Sequence, residues 1–159
     1  MKIIIMGAGE VGFHLAKLLS QEQHDITVID KDGDRLARVR EGLDVMTVSG
    51  NGAHTGLLVE AGIADADIFI AVTSIDEVNF TACTLAHKLG AKKTIIRLDE
   101  AEQIFGAEFT KQSGEMGFDL VISPDTLAAG EIVRLIRRSA ATDVLEFADG
   151  KIQILGLKL

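Results

Sequence analysis

The chain is expected to fold as an α/β protein, a Rossmann-like doubly wound parallel six-stranded sheet with helices on both faces, followed by a C-terminal β-hairpin. Three observations carry that expectation. Short apolar runs recur along the chain at 3–6, 26–29, 45–48, 68–72, 94–98 and 120–122, and they are continuous rather than alternating, as strands buried on both faces must be. Helical patterns fill the gaps, long enough for right-handed crossovers between parallel strands. The first run leads directly into Gly7-Ala8-Gly9-Glu10-Val11-Gly12, and the second closes on Asp30, 23 positions after Gly7.

Each element has its own local cause. Helices are expected at 11–20, 34–41, 55–61, 76–89, 100–113 and 124–138. Pro124 suits a first helical turn because its missing N–H has no intrahelical partner there, and Gly42, Gly62 and Gly90 are placed to stop helices. The last segment reads differently: apolar residues 144–147 and 152–157 flank Asp149-Gly150, a tight-turn signal. Its apolar face needs cover, so the hairpin packs on the sheet edge, pairs with another subunit, or opens a further domain. The division expected is a nucleotide-binding lobe over 1–142 and a hairpin over 143–159.

Composition narrows the function. A length of 159 residues with 47% hydrophobic content suits one well-buried core. A net charge of −8 and a pI near 4.9 disfavour nucleic acid and anionic lipid as direct partners, since both repel an acidic surface at long range. With one cysteine, Cys83, an internal disulfide is impossible, which suits a reducing cytoplasm. Neither a signal peptide nor an apolar run of membrane-spanning length is visible, so a soluble chain is expected.

The opening motif points to a nucleotide. Gly7 permits a tight reversal, Gly9 removes a side chain where phosphate approaches the backbone, and Gly12 allows close packing of helix and strand. The helix that begins there directs unpaired N–H groups and its positive dipole end at the same point. Asp30, at the tip of the next strand, can accept hydrogen bonds from ribose hydroxyls. Its charge favours NAD over NADP, softened by Lys31 and Arg35 nearby. The Ser49-Gly50-Asn51-Gly52 and Ala71-Val72-Thr73-Ser74-Ile75-Asp76-Glu77-Val78-Asn79 stretches fall at the carboxyl ends of the third and fourth strands, the edge where open α/β sheets bind ligands.

These motifs together resemble the regulator-of-potassium-conductance (RCK) family, whose module is also called the TrkA N-terminal or KTN domain, and within it the regulatory subunits of bacterial Trk-type potassium uptake systems. The resemblance rests on the GAGEVG loop, Asp30, the Gly-Asn turn at 50–51, the AVTSIDEVN stretch and the short strand ending in Arg97, and it runs from the opening loop to the terminal hairpin. It implies a cleft that binds NAD(H), or alternatively ATP, ADP or AMP, and that gates a membrane potassium pathway without chemical turnover. Residue by residue, it implies that Gly7, Ala8, Gly9, Glu10 and Val11 cradle phosphates. Asp30 and Lys31, with Arg35 beside them, hold the adenosine ribose; Asn51, Gly52 and Ala53 border the adenine; Thr73, Ser74 and Asn79 line the opposite wall. Arg97 matches a position near the outer phosphates, where a guanidinium can tell a triphosphate from a diphosphate. The same arginine can instead be an ordinary salt-bridge residue. Glu10 departs from the neutral or basic residues common at its position: facing the cleft it weakens anion binding, facing outward it does not.

The resemblance also implies a homodimer through the sixth helix, 124–138, a transporter or channel subunit as partner, and a place at the inner face of the cell membrane held through that partner. The stripe Leu127, Ile132, Val133, Leu135 and Ile136 is wider than one sheet face needs. Arg134, Arg137 and Arg138 at that helix's end compensate its dipole. Asp125 is either a helix-capping acid or, as in some relatives, an acid linked to divalent cations. Asp76 and Glu77 read as helix-start acids rather than a catalytic pair. Cys83 and His87 share a helix face, but with no further ligand nearby they read as a packed thiol and a surface imidazole rather than zinc ligands. Two other functions stay open: an NAD-dependent oxidoreductase cofactor domain lacking its substrate domain, for which acid/base groups are missing, and a dimerisation module with a structural nucleotide.

Overall fold

The computed structural model describes residues 1–99, 116–138, 143–147 and 152–156. Two compact units are present, Met1–Ser123 and Pro124–Leu159.

In the first unit the order is β1 (Lys2–Met6), α1 (Glu10–Ser20), β2 (Asp25–Asp30), α2 (Gly33–Gly42), β3 (Met46–Ser49), α3 (Thr55–Glu60), a short 3-10 turn (Ile63–Asp65), β4 (Ile68–Ala71), α4 (Asp76–Lys88), β5 (Thr94–Arg97) and β6 (Leu120–Ile122). The helix expected at 100–113 lies outside the described residues. All six strands are parallel, in the order β3-β2-β1-β4-β5-β6. The chain therefore leaves β1 in opposite directions, first to β2 and β3, later to β4, β5 and β6. A crevice opens beyond the carboxyl ends of β1 and β4, where that direction reverses.

Strand periodicity explains why the sheet is covered twice. Ile3 and Ile5 of β1 join Ile26, Val28, Ile70 and Val72 on one face, under Ala16 of α1 and Leu36 and Val39 of α2. Ile4 and Met6 point the other way, to a cluster with Phe69, Ile96, Leu58 of α3 and Ala82, Cys83 and Ala86 of α4. The small residues of α4 let it lie close to the sheet. Burying each isoleucine contributes about 1.5–3 kcal/mol relative to exposure, and with both core layers formed the loops at the carboxyl edge hang from a fixed frame.

Helix ends follow local chemistry. Asp32 caps α2, its Oδ1 accepting from the backbone N–H groups of Asp34 (3.0 Å) and Arg35 (3.2 Å). Gly62 and Gly90 follow the ends of α3 and α4 at φ of +75° and +108°, the left-handed turn that glycine permits. Gly42 departs from its expected role as a stop: it is the last residue of α2, and Leu43 is the cap, in extended geometry.

The second unit contains α5 (Pro124–Arg138), which begins at Pro124 as expected, and the antiparallel pair β7 (Asp143–Phe147) and β8 (Ile152–Gly156). The Asp149-Gly150 turn lies outside the described residues. Leu127, Ile132, Val133, Leu135 and Ile136 of α5 are all exposed, Ile136 to 65%.

Candidate nucleotide-binding cleft

The glycine loop is built from three glycines with three different constraints. Gly7 has φ of +108°, and a Cβ there would stand 3.0–3.1 Å from the backbone of Val72 and Thr73. Its N–H donates to the Ile29 carbonyl over 2.8 Å, which turns the chain out of β1. Gly12 lies so close to the Gly7 carbonyl oxygen that any side chain would overlap it. Gly9 is the N-cap of α1 without a side-chain cap, and a Cβ on it would meet only the Arg35 Nη1, at 3.8 Å. Only this glycine faces open space, at the positive end of a helix dipole and under a guanidinium. An anion has room there.

Asp30 is the hinge of the arrangement. Its carboxylate is buried, 9% exposed at the residue, with Oδ2 accepting from the Ala8 N–H at 2.6 Å and Oδ1 from the Asp32 N–H at 2.9 Å. The Gly50 N–H donates to its carbonyl at 2.9 Å, tying in the loop after β3. Each carboxylate oxygen retains acceptor capacity toward the cleft. Ala8 itself is buried and absent from the cleft lining, and its N–H is taken up by Asp30, so that group is not free for the phosphate contact expected of it. Asp32 places Arg35, with Oδ2 at 3.3 Å from the Arg35 Nε.

The cleft encloses about 470 Å³ and brings together Gly7, Gly9, Glu10, Val11, Asp30, Lys31, Arg35, Asn51, Gly52, Thr73, Ser74 and Arg97. That size is ordinary for a small-ligand site. Gly52 packs against the Met6 sulfur closely enough to exclude a side chain, while Ala53 lies outside, donating its N–H to the Asn51 side chain at 3.0 Å. Asn79 also lies outside, fully buried. Its Oδ1 accepts from the Thr73 N–H (3.0 Å) and Oγ1 (2.6 Å), and its Nδ2 donates to the carbonyls of Thr73 and Arg97, both at 3.0 Å. Every polar position of the amide is occupied, so Asn79 clamps the ends of β4 and β5 and has nothing left for a ligand.

Arg97 is a salt-bridge residue that also faces the cleft. It lines the cleft, and it is bound side-on by Asp99, Nε to Oδ1 at 2.9 Å and Nη2 to Oδ2 at 2.8 Å. Glu10 turns to Arg38, 2.8 Å away, whose guanidinium lies 4.3 Å over the Phe13 ring. The hydrogen bond and charge of Arg38 hold the Glu10 carboxyl below the usual glutamate range. Asp76, in the first turn of α4, sends its Oδ2 to the Asp99 N–H (2.9 Å).

The TrkA-N domain family model matches residues 3–124. The chain belongs to the TrkA-N domain family. It is 42% identical over 158 residues to the Trk system potassium uptake protein TrkA of Halomonas elongata, covering 99% of this chain and 35% of that protein. To the TrkA homolog of Archaeoglobus fulgidus it is 41% identical over 159 residues, all of this chain and 36% of the relative. This TrkA-N chain therefore spans about a third of the length of those relatives. The TrkA-N domain of the inner membrane protein ybaL from Escherichia coli superposes with a TM-score of 0.74 at 20% identity, over 85% of this chain and 96% of that one. A GsuK channel bound to NAD gives a TM-score of 0.69 at 21% identity, over 93% and 25%. These structures share the fold.

Sequence reasoning missed Asp32, Ile75 and Val78 in the cleft lining of this TrkA-N domain. Asp32 had a signal, an acid ahead of a helical run, but one that reads as capping. Ile75 and Val78 look like core residues. Cys83 is buried, its thiol 3.5 Å from the Ile95 carbonyl and pushed up to about 12 by burial, and the His87 ring packs where a side chain on Gly117 would stand. No cluster of three metal-ligating side chains occurs among the described residues.

Proposed function

We propose that this TrkA-N domain is the nucleotide-binding part of a regulatory subunit of a membrane potassium transporter or channel, binding NAD(H) or an adenine nucleotide such as ATP, ADP or AMP in the cleft. The observation that carries the reading is the pairing of an open Gly9, at a helix N-terminus beside Arg35, with an Asp30 carboxylate fixed in the same cleft. One side suits a phosphate and the other a ribose. The relatives' names support the potassium pathway, and fold neighbours support the ligand class, with NAD bound to a GsuK channel and AMP bound to a Shewanella denitrificans Kef domain.

The chemistry proposed is mechanical. Ligands act by differential affinity for two subunit arrangements, and a tenfold preference biases them by about 1.4 kcal/mol. The exposed apolar stripe of α5 supports a homodimer through that helix, and higher assembly can build on it. Among the described residues no helix is long and apolar enough to cross a membrane, in keeping with a cytoplasmic domain held at the membrane by its transporter.

Calorimetric competition tests the proposal: ATP, ADP and NADH should each bind and displace one another, with no sustained loss of NADH absorbance at 340 nm in the presence of oxidants. Sustained turnover would return the chain to the oxidoreductases, and failure of all three ligands to bind would remove the nucleotide.

A further inference from the structure

We propose that Asp99 sets how strongly the cleft distinguishes nucleotides by phosphate number: its carboxylate occupies the Arg97 fork that a distal phosphate would use, and a ligand must take the guanidinium from it. The proposal rests on the nucleotide reading above and deepens it.

The layout of the sheet separates the two ends of the ligand. Asp30 closes β2 and Arg97 closes β5, with β1 and β4 between, and at the usual strand spacing this places them about 14 Å apart across the crevice. A ligand held by its ribose at Asp30 lays its first phosphate beside Gly9, at the end of β1. Further phosphates extend toward β4 and β5, and among the described residues the cation lining that end is Arg97. A monophosphate stops short of it; a triphosphate does not.

Arg97 is engaged before any ligand arrives. The side-on pair with Asp99 uses the planar fork that also matches a phosphate. The backbone beneath it is anchored: the Arg97 carbonyl accepts from the Asn79 amide, the Leu98 N–H donates to Ile122 at 3.0 Å, and the Asp99 N–H donates to Asp76. Exchange of partners is therefore a side-chain event on a fixed frame. The side chains of Arg97 and Asp99 are partly exposed, 23% and 37%, so both can turn without unpacking the core. A distal phosphate, more highly charged than a carboxylate, gains Arg97 but must give up what Asp99 had from it. Asp99 thus trims the advantage of ATP over AMP.

The test is calorimetric titration of the intact protein with AMP, ADP and ATP, as wild type, Asp99→Asn, Arg97→Met and the double variant. Asp99→Asn should tighten ATP by about three- to tenfold, the range for a partly exposed charged pair, and leave AMP within about twofold. Arg97→Met should weaken ATP toward AMP, and Asp99→Asn should add nothing on that background. Equal tightening of AMP and ATP, no change in either, or the same gain for ATP in the absence of Arg97 would each overturn the role of Asp99 while AMP binding still stands. If wild type binds no AMP, ADP or ATP, the nucleotide reading itself fails and this assignment with it.

Discussion

The Ala8 N–H donates to Asp30 Oδ2 over 2.6 Å, so the tip of β2 is bonded directly to the glycine loop that follows β1. One carboxylate therefore fixes the loop and also lines the cleft, on the side proposed for the ribose. Asp30→Ala removes both at once. The Ala8 N–H is left buried without its acceptor, which costs about 1–3 kcal/mol, and chemical denaturation should show that loss in the ligand-free protein. Asp30→Asn keeps one acceptor oxygen, so it should recover part of the stability while nucleotide affinity stays reduced.

The three glycines separate stability from binding. Gly12→Ala forces a methyl into the Gly7 carbonyl and should destabilise the fold by about 1–3 kcal/mol through overpacking. Gly9→Ala meets only a guanidinium at 3.8 Å, so its melting temperature should stay near wild type while affinity for AMP falls. Paired thermal melts and titrations check both, and a destabilised Gly9→Ala would show that this residue serves packing.

Much of this was legible in the chain. Continuous apolar runs fix a parallel sheet because strands covered on both faces have no polar side to show, and the spacing from Gly7 to Asp30 places an acid beside the loop. Twelve of the residues expected at the site do line one cleft. Ala8 and Asn79 escaped because sequence position says where a residue sits and not which neighbour consumes its hydrogen bonds. Asn79 lies at the start of α4, as a ligand contact would, yet all four of its bonds go to protein groups, three to Thr73 just after β4 and one to Arg97 of β5. The pair of Arg97 with Asp99 likewise depends on where the chain turns after β5, which no periodicity encodes.

Asn79 supplies its own prediction. Asn79→Ala strands polar groups of Thr73 and Arg97 at the sheet edge and should cost about 3 kcal/mol. Asn79→Asp turns two donated bonds into a carboxylate facing carbonyl oxygens, so it should be destabilising near neutral pH. Protonation restores one donor, so the deficit relative to wild type should narrow as pH falls, which urea denaturation at several pH values measures.

The pair of Lys92 with Asp67, at 2.7 Å, gives the pH limits of one contact. The hydrogen bond from Lys92 and the Lys2 N–H hold the Asp67 carboxyl below its ordinary 3.8, and Asp67 raises Lys92 above 10.5. A depressed acid stabilises the fold above its unfolded value and loses that contribution as pH falls through the folded one. A raised lysine stabilises below 10.5 and loses its contribution as pH climbs past the folded value. Lys92→Met should therefore lower the melting temperature slightly between about pH 5 and 10, and the difference from wild type should shrink at both extremes.

Whether the cleft grips a nucleotide is settled most directly by titrating wild type and Gly9→Val with ADP under identical conditions. Saturable binding at one site per chain, displaced by NADH and abolished in a Gly9→Val protein that still melts cooperatively, is the expected result. Absence of binding to wild type, or binding that ignores the added side chain, would contradict it.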